Sequence, residues 1–282
     1  MTDEKKLLLS ASVLLLESLR ENRSFRVSRT VMKNASATGR LVFVSDLHGR
    51  RDTKAILRAI RILKPDLILS GGDLLTAEEH KSHQEAKKFV RALVKIAPLY
   101  AANGNHEKRM QNFSSYTDFI KSQGACYLSQ TQRRVPLKTG AIQLSAVEIP
   151  QTYYRLFERR TISAREIEKQ IGKADAEDFH VMLMHNPAHY AAGIAYGADL
   201  ILGGHMHGGI VSLPFGRGLI SPQARLFPRN AWGHRKYRGA HVITSRGLGA
   251  HTVRVRLFNS PEIVVIDLVK QEKGCSFLPH NL

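Results

Sequence analysis

Five short apolar runs, each followed by a cluster of polar residues and glycine, constrain the fold of this chain more than any other feature. The runs are residues 41–44, 67–69, 98–102, 181–184 and 200–202. Amphipathic patterns typical of helices lie between them, at residues 53–63, 78–96 and 163–171. Strands that alternate with helices predict an α/β domain, in which ligands gather at the carboxyl ends of the strands. The five polar clusters are therefore expected to form one site.

These clusters contain seven side chains of types that commonly bind metal ions. They are Asp46, His48, Asp73, Asn105, His185, His205 and His207. Oxygen and nitrogen ligands without a thiolate suit Mn²⁺, Fe or Zn²⁺ better than Ca²⁺ or Mg²⁺. Seven ligands exceed what one ion usually takes from a protein, whereas two ions that share a bridging carboxylate use them all. We therefore predict two divalent ions, with Mn²⁺ as the first choice.

The spacing within the clusters fits this prediction. In an extended strand end, residues i and i+2 point to the same side. Asp46 and His48 are thus expected on one ion, and His205 and His207 on two neighbouring ions. Glycines at 71–72, 104, 203–204 and 208–209 allow several loop backbones to approach one another in one cavity.

The motifs "DLH" (46–48), "GGD" (71–73), "GNHE" (104–107), His185 and "GHMH" (204–207), in this order, resemble those of the calcineurin-like metallophosphoesterases. The stretches "SDLHG" and "GHMHGG", and the later "SRGLG", resemble the bacterial branch whose members often carry an N-terminal membrane or export segment. The resemblance implies an α/β fold of four layers, an α/β/β/α sandwich with two mixed sheets face to face and helices outside.

The resemblance also implies a role for each residue. Asp46, His48 and His207 would hold one metal ion, Asn105, His185 and His205 the other, and Asp73 would bridge them. A metal-bridging hydroxide would attack phosphorus. His106 would face the phosphate, where it stabilises the transition state or protonates the leaving oxygen as a general acid. Family members that hydrolyse UDP-diacylglucosamine commonly have Arg in place of this His, which weakens the case for that substrate.

The charge of the chain is strongly positive and unevenly distributed. The formal net charge is +18, and no acidic residue occurs between Asp199 and Glu262, a window with nine Lys and Arg residues. Four aromatic residues interleave with these charges: Phe215, Phe227, Trp232 and Tyr237. Such a field attracts polyanions or anionic membrane surfaces, so we expect this stretch to face an anion rather than only to aid solubility. Arg246 and His251 are expected in loops at the cavity rim, where they would bind substrate.

The N-terminal apolar run, residues 7–16, is too short to span a bilayer. Asp3 and Glu4 and the lack of a small-residue cleavage site argue against a signal peptide. We expect a helix that packs on the domain or lies on a membrane surface. The predicted organisation is an N-terminal helix and lead-in strand (1–40), a metallophosphoesterase domain (41–270) and a C-terminal tail (271–282). The two cysteines fit a reducing compartment, so we expect a cytoplasmic protein that associates with the inner face of a membrane.

The resulting functional prediction is a dinuclear phosphohydrolase that cleaves a phosphoester or pyrophosphate bond, with a phospholipid-like substrate as the first choice. One alternative is a metal-dependent nuclease, which would use the same metals and the same positive field. No recognisable nucleic-acid module supports that alternative. The other alternative is a non-catalytic binding scaffold, although such proteins lose ligands and this chain retains all seven. The sequence leaves the substrate and the oligomeric state open.

Overall fold

The computed structural model describes residues 3–34, 36–174, 177–250 and 255–270. The α-helices in this part of the chain are α1 (Asp3–Arg23), α2 (Lys54–Leu63), α3 (His80–Leu93), α4 (Asn105–Arg109), α5 (Phe113–Ser122), α6 (Ala164–Ile171) and α7 (Tyr190–Tyr196). The strands are β1 (Arg26–Asn34), β2 (Ala37–Val44), β3 (Leu67–Ser70), β4 (Leu99–Ala101), β5 (Cys126–Tyr127), β6 (Thr131–Pro136), β7 (Thr139–Ala146), β8 (Phe179–Leu183), β9 (Leu200–Gly203), β10 (Ser212–Leu213), β11 (Arg217–Gly218), β12 (Gly233–Tyr237), β13 (Ala240–Thr244) and β14 (Glu262–Lys270). The helices expected at 53–63, 78–96 and 163–171 are confirmed as α2, α3 and α6.

Twelve of these strands form two mixed sheets of six strands each. The first sheet has the order β5-β4-β3-β2-β14-β1, and the second has the order β12-β13-β9-β8-β7-β6. Each sheet has a parallel centre. The antiparallel pairings are β14 with β2 in the first sheet, and β12 with β13 and β6 with β7 at the two edges of the second. The sheets join at one corner, where Ala37 and Thr38 pair with Gly140 and Thr139.

Alternation along the strands separates the apolar side chains into layers. In β2, Leu41 and Phe43 pack into a core shared with Ile142 and Leu144 of the second sheet. Val42, their neighbour on the opposite face, packs into a different core that contains residues of α2, α3 and α5. A third core joins the outer face of the second sheet to α6 and α7. The predicted four-layer α/β/β/α arrangement is therefore confirmed.

The N-terminal region is built into this arrangement. Strand β1 pairs with β14 along its whole length, from Arg26 with Glu262 to Asn34 with Lys270. Residues 1–40 thus contribute β1 and the start of β2 to the first sheet. The predicted tail, residues 271–282, lies outside the described residues.

Helix α1 leaves much of its apolar surface uncovered. The exposed apolar side chains in it are Leu9, Val13, Leu14, Leu15, Leu16 and Leu19. Its last turns contact the domain, because the Ser18 hydroxyl accepts the backbone N–H of Arg256 at 3.1 Å and Glu21 bonds the hydroxyl of Ser260. Among the described helices, none combines the length and the hydropathy that a membrane crossing requires.

Candidate metal centre

Left-handed turns follow β2, β3 and β9 at the edge where the site lies. Asp46, His48 and Asp73 have φ angles of 50°, 46° and 52°, and those of His205 and His207 are 64° and 46°. Such conformations cost non-glycine residues roughly 1–3 kcal/mol each, and they cluster at functional sites. The expectation that these residues continue an extended strand is therefore wrong. Sharp turns, rather than the alternation of a pleat, bring their side chains to one side.

The first group of potential ligands combines the loops after β2 and β9. The ligand atoms of Asp46, His48 and His207 all lie within 4.8 Å of one another. The Nε2 atoms of His48 and His207 are 3.2 Å apart, and His207 Nε2 is 3.5 Å from Asp46 Oδ1. On the other side of its ring, His48 Nδ1 lies 3.2 Å from the Thr76 hydroxyl, which fixes the orientation of the imidazole.

The second group combines the loops after β3, β8 and β9. The ligand atoms of Asp73, His185 and His205 also lie within 4.8 Å of one another. His185 Nδ1 donates to the carbonyl oxygen of Gly71 at 2.7 Å. This bond directs His185 Nε2 into the site, where it is 3.1 Å from Asp73 Oδ2. A backbone carbonyl that orients a histidine in this way is typical of metal ligands.

Asp73 lies between the two groups. Its Oδ2 is 3.1 Å from His185 Nε2 and 3.9 Å from His48 Nε2, and its Oδ1 accepts the backbone N–H of His106 at 2.8 Å. Burial opposes the charge of this carboxylate, but the surrounding imidazoles, His185 first, hold its pKa well below the ordinary value. Burial likewise opposes the charge of His185, but Asp73 raises the pKa of that imidazole to about 10. A metal ion would therefore compete with a proton for His185 Nε2.

The chemistry of these side chains fits divalent cations. Within the described residues, the buried Oδ1 of Asn105 and Nε2 of His205 have no hydrogen-bond partner. A buried polar atom without a partner is costly unless a ligand satisfies it. Burial, and then the charge of His185, holds the pKa of His205 well below its ordinary value, so its imidazole is neutral and able to coordinate.

Glu107 ties the loops of the centre together, although the sequence reading gave it no role. Its carboxylate accepts the backbone N–H groups of Gly104, Asp73 and Leu74 at 2.9, 2.8 and 2.7 Å. It therefore connects the loop after β3 to the start of α4. Burial, and then the charge of Asp73, raises the pKa of Glu107 to about 7. The sequence could have indicated a role for Glu107, because it is the last residue of the "GNHE" motif.

His106 lies at the start of α4, with its ring edge-on to His48 and the two ring centroids 4.9 Å apart. Its Nδ1 is 3.3 Å from the backbone N–H of Ala77 and 2.8 Å from Arg109 Nη2. Arg109 Nη2 also lies 3.0 Å from His106 Nε2, so this guanidinium reaches both ring nitrogens. A nitrogen of His106 also lies within 4.8 Å of ligand atoms of His48 and Asp73. This geometry is compatible with a proton donor beside a metal centre.

A cavity of about 360 Å³ opens in front of the centre. One side is polar and includes Asp73, Asn105, His106, His205 and His207. The other side is mainly apolar and includes Tyr154, Met206, Ile210, Ile220, Pro222, Ala224 and Val255. Two further cations, those of Arg109 and Arg256, lie in its wall. The sequence did not predict that Tyr154, Arg109 and Arg256 line this cavity, because they belong to none of its motifs.

Arg246 and His251 were expected at the cavity rim, and the structure describes only Arg246. Arg246 is not among the residues that line the described cavity; its guanidinium donates to Ser212 Oγ and the Phe258 carbonyl, and stacks 3.9 Å from the Trp232 ring centroid. It holds together the loops behind the cavity. His251 lies outside the described residues.

Comparison with known proteins gives a consistent picture. A family model described as calcineurin-like phosphoesterase matches residues 39–209. The phosphodiesterase YaeI of Escherichia coli is 26% identical over 84% of this chain and 84% of its own length. The metallophosphoesterase YkuE of Bacillus subtilis is 25% identical over 80% of this chain and 75% of its own length. The UDP-2,3-diacylglucosamine pyrophosphatase LpxG of Chlamydia muridarum is 23% identical, with 80% and 82% covered.

Proposed function

The chain belongs to the calcineurin-like phosphoesterase family, a family of metal-dependent phosphoester hydrolases, and from that premise we propose that it works with two divalent metal ions. The observation that carries the proposal is the position of the Asp73 carboxylate: it belongs to the group with His185 and His205, and its Oδ2 is 3.9 Å from Nε2 of His48 in the other group. One ion would be held by Asp46, His48 and His207, and the other by Asn105, His185 and His205. Mn²⁺ is the first choice, with Fe and Zn²⁺ as alternatives, because the ligands are imidazoles, carboxylates and an amide.

The residues of the chain divide the chemistry between them. Bound divalent ions activate water and neutralise charge on phosphoryl oxygens. His106 donates a proton to the leaving oxygen, for which its position in the cavity wall is suited. Glu107 keeps the loops of Asp73 and His106 in register through its three backbone hydrogen bonds.

We propose a phosphoester or pyrophosphate with an apolar substituent as the substrate. Apolar side chains, Met206, Ile220 and Val255 among them, line the same cavity as the polar side chains of the centre. A lipid-like phosphoester presents the same division between an anionic phosphorus and an apolar chain. The similarity to a diacylglucosamine pyrophosphatase supports a substrate of this type, whereas His106 weakens the case for that particular compound.

We also propose peripheral attachment to an anionic bilayer at the inner face of the membrane. Exposed apolar side chains occur in α1 and at Leu226, Phe227 and Phe258, which are close in sequence to the cavity-lining residues Ala224 and Arg256. The hairpin of β12 and β13 adds Arg235, Lys236 and Arg238, and each basic residue near such a surface contributes about 1 kcal/mol. Sedimentation with vesicles should show binding that needs anionic lipid and weakens with salt. Equal recovery in the supernatant with anionic and neutral vesicles would contradict attachment.

An activity screen tests the proposed function. Protein loaded with Mn²⁺ should hydrolyse phosphodiesters or lipid pyrophosphates, and His185→Ala should abolish that activity together with metal binding. A matched control is His241→Ala, because His241 lies in β13 on the β12–β13 hairpin, away from the two ligand groups. Hydrolysis of DNA or RNA that falls steeply with salt would favour the nuclease. Metal binding without hydrolysis of any phosphoester would favour the scaffold.

A further inference from the structure

A second cavity, of about 460 Å³, lies between the end of α1, the loop after β2 and the start of α3. Among the described residues that line it, His48 is the only candidate metal ligand. The ring nitrogens of His48 face Thr76 and His207. The second cavity is therefore separate from the metal centre, and its use has to be inferred from its own side chains.

The second cavity is positively charged. Arg50, Arg51 and Lys81 line it, and the only carboxylate in the described lining is that of Glu79. The guanidinium of Arg50 is held in the wall, since it donates to the carbonyl oxygen of Leu248 at 2.9 Å. Arg51 and Lys81 are exposed, and within the described residues neither forms an ion pair with a carboxylate. Their charges are thus available to an anion in the cavity.

One face of α1 leads directly into this cavity. Residues three and four apart share a face of a helix, so Leu15 and Leu16 lie one turn before Leu19, and Asn22 lies one turn after it. Leu19 and Asn22 line the cavity, and the three leucines are exposed. A leucine ridge, formed by Leu15, Leu16 and Leu19, therefore ends at a cavity of positive charge.

This arrangement is complementary to both parts of a phospholipid. The cations of the cavity suit a phosphate, and the leucine ridge suits the apolar layer directly beneath a row of headgroups. A soluble phosphate ester or a nucleic acid offers the negative charge but nothing apolar to cover the ridge. An anionic lipid in a bilayer satisfies both surfaces at once.

We propose that the second cavity binds the headgroup phosphate of an anionic phospholipid, while the leucine ridge enters the apolar layer of the same leaflet. A phosphomonoester headgroup, as in phosphatidic acid, fits best, because its charge of about −2 at neutral pH matches the cations of Arg51 and Lys81. A basic surface alone responds to the total charge of a membrane, whereas this cavity selects one kind of lipid. The inference rests on the proposed membrane attachment and not on the chemistry of the metal centre.

Sedimentation of the full chain with vesicles tests this site. The vesicles contain phosphatidylcholine with either phosphatidic acid or phosphatidylserine, mixed to the same zeta potential. The wild type should bind the phosphatidic acid vesicles about fivefold more tightly, the size expected of two exposed ion pairs. Equal binding to both overturns the headgroup site and leaves attachment standing. Binding to neither overturns attachment and the site with it.

Paired variants identify the cations involved. Arg51→Gln with Lys81→Gln should remove the preference for phosphatidic acid. The matched control, Arg58→Gln with Arg61→Gln, removes the same charge from exposed positions of α2 and should keep the preference. A preference that survives in the Arg51 and Lys81 variant, or that disappears in the control, overturns the site.

Two further measurements test the lipid as the ligand. Leu16→Ser should weaken binding to both kinds of vesicle about tenfold, because it removes an apolar side chain from the bilayer. Unchanged binding of this variant contradicts the role of the leucine ridge. In titration calorimetry, glycerol 3-phosphate, which lacks acyl chains, should bind too weakly to measure. Binding as tight as that of the vesicles, and lost in the Arg51 and Lys81 variant, would identify a soluble phosphate ester and overturn the lipid.

Discussion

The metal centre and the apolar wall of the cavity in front of it are supported by different kinds of backbone structure. The candidate ligands follow strands of the two sheets, whose backbone ladders fix each loop at its root. The regular structure of the wall segment, residues 210–232 and 255–258, is limited to short pieces: the two-residue strands β10 and β11, a 3-10 turn at Pro214–Gly216, and the isolated bridges of Val211 with Leu257 and Ile220 with Leu226. Regular structure thus supports the candidate ligands, and irregular structure supports the apolar wall.

Buried arginines take the place of a sheet in the wall segment. The guanidinium of Arg256 donates to the carbonyl oxygens of Asn259, Arg246 and Gly249 at 3.0, 3.0 and 2.5 Å. Burial lowers the pKa of this group to about 10, which still leaves it charged at neutral pH. Positive φ angles at Ile210 and Ala224 show that the wall also contains strained turns. Because different structure supports the metal centre and the wall, a substitution in one region should leave the other intact.

The largest effect is expected at Asp73, on the side of the metal centre. Asp73→Ala removes the carboxylate that lies between the two ligand groups and is proposed to bridge the ions, so both ions should bind weakly. Because each ion contributes several kcal/mol, kcat/KM should fall by roughly 10⁴-fold or more. Metal analysis and kinetics on one preparation check this. Two tightly bound ions in the variant would contradict a bridging role.

His106 should affect the chemistry without affecting the metal. His106→Ala should lower kcat by roughly 10²–10⁴-fold, the usual size of acid–base catalysis, while the metal content stays that of the wild type. His106→Gln is the companion variant, since it retains a donor. If metal is lost together with activity, His106 is a ligand rather than a proton donor.

A change in the wall should spare the metal centre and alter substrate binding. Arg256→Met leaves three carbonyl oxygens without their donor, so the wall should loosen. We expect KM for an octyl phosphoester to rise about tenfold, the effect of one or two lost methylene contacts, while metal content is kept. Arg217→Met, at an exposed position of β11, is the control. An unchanged KM would show that Arg256 does not shape the cavity.

The smallest effect is a dependence of stability on pH at His189, which lies beneath the wall. Burial, and then the charge of Arg225, lowers the pKa of His189 to about 4, whereas in an unfolded chain it is about 6.5. Between these values only the unfolded chain takes up the proton, so the free energy of unfolding should fall as pH falls from 6.5 to 4. The slope is at most about 1.4 kcal/mol per pH unit.

Urea unfolding of the wild type and His189→Gln measures this contribution. The variant should lose the additional slope below pH 6.5, and the two proteins should have parallel pH profiles above it. Identical profiles from pH 4 to 8 would mean that His189 takes up its proton as readily when folded as when unfolded.

The alternation of strands and helices and the ligand loops could be predicted from the sequence because both depend on local patterns, whereas the four layers were implied only by the resemblance to the family. Runs such as residues 41–44 and 200–202 appear as β2 and β9, and the side chains after them converge as expected. The turns at Asp46 and His48 were wrongly expected to be extended, since left-handed conformations of Asp and His have no periodic signal. Long-range contacts were also missed: Tyr154 and Arg256 reach the cavity only through the packing of distant loops.

The central claim is that two ions share the Asp73 carboxylate. Anomalous diffraction from crystals of the Mn²⁺-loaded protein measures this directly. The account predicts two peaks about 3.5–4 Å apart, one beside Asp46, His48 and His207 and one beside Asn105, His185 and His205, with Asp73 in contact with both. A single peak, or a pair of peaks away from Asp73, would contradict it.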